Sequence, residues 1–93
     1  MKKIKIIAGP CAIESAEQII RIAKQLKEIG VDYLRGGAFK PRTNPESFQG
    51  LGDIGIEYLL KAKEETGLPV ITELMTIEQV RKYADKIDKG VTF

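Results

Sequence analysis

The sequence predicts an α/β protein built on a parallel sheet. Two observations carry this: short apolar, β-branched runs alternate with segments of helical periodicity, and the first two runs end in glycine-bearing turns. The runs are Lys5 to Ala8, Val31 to Leu34 and Leu68 to Leu74. Their order with the helices is βαβαβα, which implies parallel strands joined by right-handed crossovers. Doubly wound sheets and barrels are both built this way. Polar residues gathered at successive strand ends favour an arc of a barrel, with strands in chain order 1-2-3 and helices on one face.

Lys5-Ile6-Ile7-Ala8 is stopped by Gly9-Pro10 and reads as a strand buried on both faces. Ser15 and Gln18 form a capping-box pattern, and Ile19, Ile22, Ala23, Leu26 and Ile29 then recur at helical spacing up to a glycine stop at Gly30. The second strand runs into Arg35-Gly36-Gly37, where glycines permit a bend or a close approach of backbone to a ligand. From there to Gly52 the chain is polar and turn-rich, a length of connection that is usually functional or disordered. A helix fits Asp53 to Thr66, with Ile56, Leu59 and Leu60 inward and Gly67 as its stop. Pro69 stands at the entry of the third strand, where its missing N–H is tolerated. Thr76 and Gln79 repeat the capping pattern, and Ile77, Val80, Ala84 and Ile87 give a third helix its apolar face. Asp88 to Phe93 has the look of a fourth-strand stub, though it fits poorly as a clean strand.

At 93 residues the chain is one domain or part of one. Its 43% hydrophobic and 30% charged residues are those of a globular protein, and no apolar run approaches the ~20 residues of a membrane span. The basic and apolar start, Met1 to Ile7, is too short before Gly9-Pro10 for a signal peptide. A single cysteine excludes an internal disulfide, and with no export signal the expected location is cytoplasmic. A net charge of +2 gives no nucleic-acid footprint.

Chemistry-bearing residues cluster at the carboxyl ends of the strands, where ligands of parallel α/β folds sit. Arg35, Lys40 and Arg42 supply three cations, with the Thr43 hydroxyl and glycine-exposed backbone nearby. Such a group suits phosphate or carboxylate, an arginine offering a planar fork and a lysine a point charge; the plain alternative is a solvated basic loop. Cys11, on a bend after the first strand, is either a small buried residue or a thiolate ligand. Glu73 is either a general base or a partner for one of the cations. Glu14 favours the positive N-terminus of the first helix.

Four segments occur in one order: A-G-P-C-A-I-E-S (Ala8 to Ser15), L-R-G-G-A-F-K-P-R-T (Leu34 to Thr43), S-F-Q-G-L-G (Ser47 to Gly52) and T-E-L-M (Thr72 to Met75). Together they resemble the short type of 3-deoxy-7-phosphoheptulonate (DAHP) synthase. The related 3-deoxy-octulosonate 8-phosphate synthases share G-P-C but resemble K-A-N-R where this chain has Lys40-Pro41-Arg42-Thr43, which favours the heptulosonate enzyme. The resemblance implies a partial (β/α)8 barrel, its first three βα units bearing a three-stranded parallel sheet, with residues 1–93 as the N-terminal part of the barrel domain. It also implies a metal-dependent condensation of phosphoenolpyruvate with erythrose 4-phosphate, in the shikimate pathway to aromatic amino acids.

By the same resemblance, Lys40 is catalytic and with Arg35 holds phosphoenolpyruvate, while Arg42 and Thr43 bind the phosphate of erythrose 4-phosphate. Cys11 is a ligand of a divalent metal such as manganese, iron or zinc. The family completes that metal site with a histidine, a glutamate and an aspartate from later strands, and this chain has no histidine. A truncated chain, inactive alone, is therefore expected. Its alternatives are a phosphate-binding module without turnover or a complementing subunit, with a second copy or a remaining barrel fragment as partner.

Overall fold

The structure, a computed structural model, describes residues 4–39, 51–74 and 76–92. In chain order the elements are β1 (Ile7–Ala8), α1 (Ala16–Ile29), β2 (Tyr33–Arg35), α2 (Asp53–Thr66), β3 (Val70–Leu74), α3 (Ile77–Tyr83) and β4 (Lys89–Thr92). The strands form one sheet of order β1-β2-β3-β4, every neighbouring pair parallel. Three of them are the strands expected from the sequence. The fourth extends the sheet: Lys89–Thr92 pairs along Ile71–Leu74, so the stub after Asp88 is a strand despite its lysine and glycine. Successive right-handed crossovers that advance in one direction put the helices on one face.

Local chemistry sets the helix ends. Ser15 Oγ accepts the Gln18 N–H at 3.0 Å, and Gln18 Oε1 accepts the Glu14 N–H at 2.8 Å, one residue ahead of the cap. At α3 both halves of the capping box are present, Thr76 Oγ1 with the Gln79 N–H and Gln79 Oε1 with the Thr76 N–H. Gly30 and Gly67 end α1 and α2 in the left-handed region, at φ +97° and +75°.

The core lies between the helices and one face of the sheet. Ile19 and Ala23 of α1 meet Ile56, Leu59 and Ala62 of α2, over Leu34, Val70 and Leu74 of the strands. Each large aliphatic side chain buried there contributes roughly 1.5–3 kcal/mol. Alternation places Tyr33, Arg35, Ile71 and Glu73 on the opposite face. Of these only Ile71 is buried.

Several expectations are corrected. β1 is not buried on both faces; it is a two-residue edge strand with Ile7 and the preceding Ile6 half exposed, because among the described residues no strand other than β2 pairs with it. Ile29 and Ile77 are exposed at 75% and 71%, and Ala84 is exposed too. α3 ends at Tyr83, whose ring turns inward in place of Ala84.

At the amino ends of the strands, one device recurs. Asp32 Oδ2 accepts the Ile6 N–H at 2.8 Å while the Asp32 N–H donates to the Ile6 carbonyl at 2.8 Å. Asp88 Oδ2 accepts the Val70 N–H at 2.8 Å while the Asp88 N–H donates to the Val70 carbonyl at 3.2 Å. Each aspartate stands just before one strand and holds the start of its neighbour, so the register is fixed at that end.

Lys63 Nζ also reaches Asp88 Oδ2 at 2.7 Å, and this bond, opposed by burial and aided by the Val70 N–H, holds the carboxyl below its ordinary value of 3.8. Native protein then binds fewer protons than unfolded chain in the acid range, so the contribution is complete above about pH 5 and is lost as pH falls through the lowered native pKa. Asp88→Ala is expected to cost about 1 kcal/mol at pH 7, the group being a third exposed and partly screened. Asp88→Asn should flatten the acid limb of stability against pH; urea titrations from pH 2.5 to 7 check both.

Candidate functional site at the carboxyl ends of the strands

The backbone that leaves β2 is fixed from three sides. The Gly36 N–H donates to the Ile71 carbonyl at 3.3 Å, and Thr72 Oγ1, buried, donates to the Gly36 carbonyl at 2.7 Å. The Ile13 N–H donates to the Gly37 carbonyl at 2.9 Å, and the Gly52 N–H to the Ala38 carbonyl at 2.8 Å. Segment 36–38 is thus tied to β3, to the loop after β1 and to the start of α2. All three of its residues are buried.

Glycine is required at two of these contacts. A Cβ on Gly9, whose φ is +154°, would stand 1.8 Å from the Arg35 carbonyl oxygen. The loop that carries Cys11 therefore starts in direct backbone contact with Arg35. A Cβ on Gly36 would come within 2.9 Å of the Ile13 side chain. The close approach expected of Gly36 is made to a neighbouring loop within the fold.

Arg35, at the end of β2, and Glu73, near the end of β3, are brought together. Arg35 Nη2 donates to Glu73 Oε1 at 3.2 Å, with the two side chains 34% and 22% exposed. Arg35 is in register with Ile71, two residues before Glu73, so both side chains rise from the open face toward the carboxyl edge. Of the two roles expected for Glu73, the structure supplies the cation partner. Cys11 is exposed, which removes the reading of a small buried residue. Lys40, Arg42 and Thr43 lie outside the described residues.

The described residues at this edge do not make a metal site by themselves. Among the described residues no group of three or more Cys, Asp or Glu side chains is placed to hold an ion, and the sequence offers no histidine. One thiolate does not fix a coordination geometry. No helix among the described residues is long and apolar enough to cross a membrane.

Sequence reasoning missed Asp53 and Tyr83. The Tyr83 hydroxyl donates to Asp53 Oδ1, and Lys82 Nζ lies 3.4 Å from Asp53 Oδ2, tying the start of α2 to the end of α3. The tyrosine bond, more than Lys82, holds the Asp53 carboxyl low against burial, while burial first and Asp53 second push the Tyr83 phenol up. The signal was the aromatic one residue before the assigned Ala84, a position that only the true end of α3 turns inward.

A parallel sheet in strict chain order, with a cation and a carboxylate raised at the strand ends, defines a piece of a (β/α) barrel with its ligand edge at the carboxyl side. Residues 2–91 match the model of the DAHP synthetase I family, and the chain belongs to that family. It is 50% identical over 88 residues to a phospho-2-dehydro-3-deoxyheptonate aldolase of Thermotoga maritima, covering 91% of this chain and 26% of that relative. A 2-dehydro-3-deoxyphosphooctonate aldolase of Cupriavidus taiwanensis is 35% identical, covering 94% of this chain and 32% of that protein. The crystal structure of a phospho-2-dehydro-3-deoxyheptonate aldolase (DAHP synthase) from Thermotoga maritima superposes with a TM-score of 0.84 at 48% identity, over 92% of this chain and 25% of that one. The chain spans about a quarter to a third of the length of these relatives.

The Gly9 contact has a measurable consequence. Gly9→Ala is expected to destabilise the chain by about 2 kcal/mol or more, since the methyl group must displace the Arg35 backbone. A urea midpoint equivalent to wild type within 0.5 kcal/mol would show that the two loops separate freely.

Proposed function

We propose that residues 1–93 are the N-terminal part of a DAHP synthase-like barrel domain, carrying part of the site that condenses phosphoenolpyruvate with erythrose 4-phosphate. The observation that carries this is Arg35, fixed at the carboxyl edge against the Gly9 loop and still a third exposed. A guanidinium so placed offers a planar fork to a carboxylate or phosphate. Identity of 50% to a heptonate aldolase, against 35% to an octonate aldolase, supports the heptulosonate branch already favoured by Lys40-Pro41-Arg42-Thr43.

In this reading Arg35 and Lys40 hold phosphoenolpyruvate, and Arg42 with Thr43 holds the phosphate of the sugar. The enol carbon C3 forms a bond to the aldehyde carbon, water adds at C2, and inorganic phosphate leaves. The contribution of this chain's own residues is to fix two anions within reacting distance, where orientation is worth roughly 7–11 kcal/mol in such reactions. Cys11 is proposed as one ligand of the divalent metal on which the family's reaction depends. The open edge of β1 is proposed to pair with further barrel strands. A cytoplasmic location goes with such a biosynthetic role.

A second reading, a binding module without turnover, is favoured by the lack of a metal-holding donor set among the described residues. A titration of both substrates with and without a divalent metal separates the two, a metal-dependent gain in affinity marking the partial site; a turnover assay tests the partial site itself. The 93-residue chain is given both substrates with manganese, and phosphoenolpyruvate consumption and phosphate release are followed. The expected result is binding of phosphoenolpyruvate with turnover more than tenfold below that of a full-length relative; turnover within tenfold overturns the partial-site reading. Arg35→Ala should weaken phosphoenolpyruvate binding and Arg42→Ala sugar-phosphate binding, each by roughly 1.5–3 kcal/mol. Equal small losses for both ligands in both variants would identify a solvated basic loop.

A further inference from the structure

We infer that Glu73 is a positioning residue for Arg35, holding the guanidinium at the rim of the sheet with its other N–H groups presented to an anionic ligand. This rests on the reading of Arg35 as an anion-binding residue. An arginine carries five N–H donors in a rigid plane, and the contact with Glu73 uses one on Nη2 at 3.2 Å. The pair is neither buried nor fully solvated, at 34% and 22% exposure.

The backbones of both residues are fixed independently of the pair. Arg35 is in register with Ile71, its carbonyl carbon and oxygen lie against Gly9, and Thr72, beside Glu73, is bonded to Gly36. What remains free without Glu73 is the arginine side chain itself, which is long and rich in rotamers. A ligand would then have to order it on binding, and the loss appears as weaker affinity. Glu73 also acts in the opposite sense, since its negative charge repels an incoming anion. The two effects separate by substitution. Glu73→Gln keeps an oxygen that accepts from Arg35 and removes the charge, whereas Glu73→Ala removes both.

The test uses the full 93-residue chain, titrated with phosphoenolpyruvate and, separately, with inorganic phosphate, by calorimetry or by amide shifts. Glu73→Gln is expected to bind phosphoenolpyruvate as tightly as wild type or more tightly, and Glu73→Ala roughly fivefold more weakly, the scale of one hydrogen bond. In an Arg35→Ala background Glu73→Ala should weaken binding no further, and loss of its charge should leave the residual affinity equal or higher. The Arg35 Nε–H should be rigid by 15N relaxation in wild type and Glu73→Gln, and mobile in Glu73→Ala. Should Glu73→Ala fail to fold, Glu73→Asp replaces it: the charge is kept, the reach is one methylene shorter, and binding is again expected to weaken. Tighter binding in both Glu73→Gln and Glu73→Ala would show only a competing charge and overturn the inference. So would Glu73→Ala binding as wild type while Arg35→Ala fails to bind, which leaves the anion-site reading standing. An Arg35→Ala chain that binds as wild type overturns the anion-site reading itself.

Discussion

The short backbone segment that leaves β2 is the contact on which the carboxyl edge depends. Gly36, Gly37 and Ala38 receive hydrogen bonds from Thr72, Ile13 and Gly52, which belong to three different parts of the chain. Gly9 closes the arrangement, since any side chain there would occupy the Arg35 carbonyl. These are mostly backbone groups buried at the end of a sheet, where an unmade bond costs roughly 1–3 kcal/mol. Satisfying them within the segment leaves little freedom for the backbone at Arg35. At the other end of the strands Asp32 and Asp88 hold the starts of β1 and β3. β1 and β3 are therefore pinned at their amino ends by a carboxylate and β2 at its carboxyl end by loop contacts, and slippage by one residue would break these contacts.

The two faces of the sheet are chemically divided. One face, Leu34, Val70 and Leu74, is covered by α1 and α2 and is apolar apart from the satisfied Thr72 hydroxyl. The other carries Tyr33, Arg35, Ile71 and Glu73. A half-exposed ion pair of the Arg35–Glu73 kind adds at most about 1 kcal/mol to stability. Two charges on the inward face of a barrel arc are therefore poorly accounted for by stability alone. The Lys63–Asp88 pair, by contrast, also satisfies the Val70 N–H and has a structural role at the opposite end.

What was legible in the sequence follows the range of the interactions. Helix starts at Ser15 and Thr76, and stops at Gly30 and Gly67, were readable because a cap is made by residues within four positions of each other. Parallel order was readable because alternation and crossover handedness constrain it. The exposure of β1 was not, since a strand's burial depends on neighbours far along the chain, and Ile6 and Ile7 read the same in a central strand as at an edge. β4 was faint because Lys89 and Gly90 are poor strand formers, and their pairing with Ile71 and Thr72 comes from the preceding Asp88 clamp and the sheet already in place. Gly36 read as a bend or a ligand contact because the sequence cannot distinguish a backbone approached by a ligand from one approached by Ile13. Of the candidate residues, Arg35 and Glu73 are in contact, Cys11 is exposed two residues after the Gly9 contact with Arg35, and Lys40, Arg42 and Thr43 fall outside the described residues.

A βα arc of this kind also divides its chemistry by range. Each strand pairs with the next, and among the described residues the contacts that place Arg35 and Glu73 lie within the arc. A metal centre differs in kind. It needs three or four donors converging from several directions, and strands that lie side by side on one arc bring donors from one side only. In the proposed reading the same holds for the second anion and for excluding water, both of which require a wall opposite Arg35. The Arg35–Glu73 placement is thus settled between two neighbouring strands of a four-stranded arc, whereas a coordination sphere draws on donors from several directions. In the proposed reading, recognition of one anion is a nearest-neighbour property of the β2–β3 edge, and catalysis is a property of the closed ring.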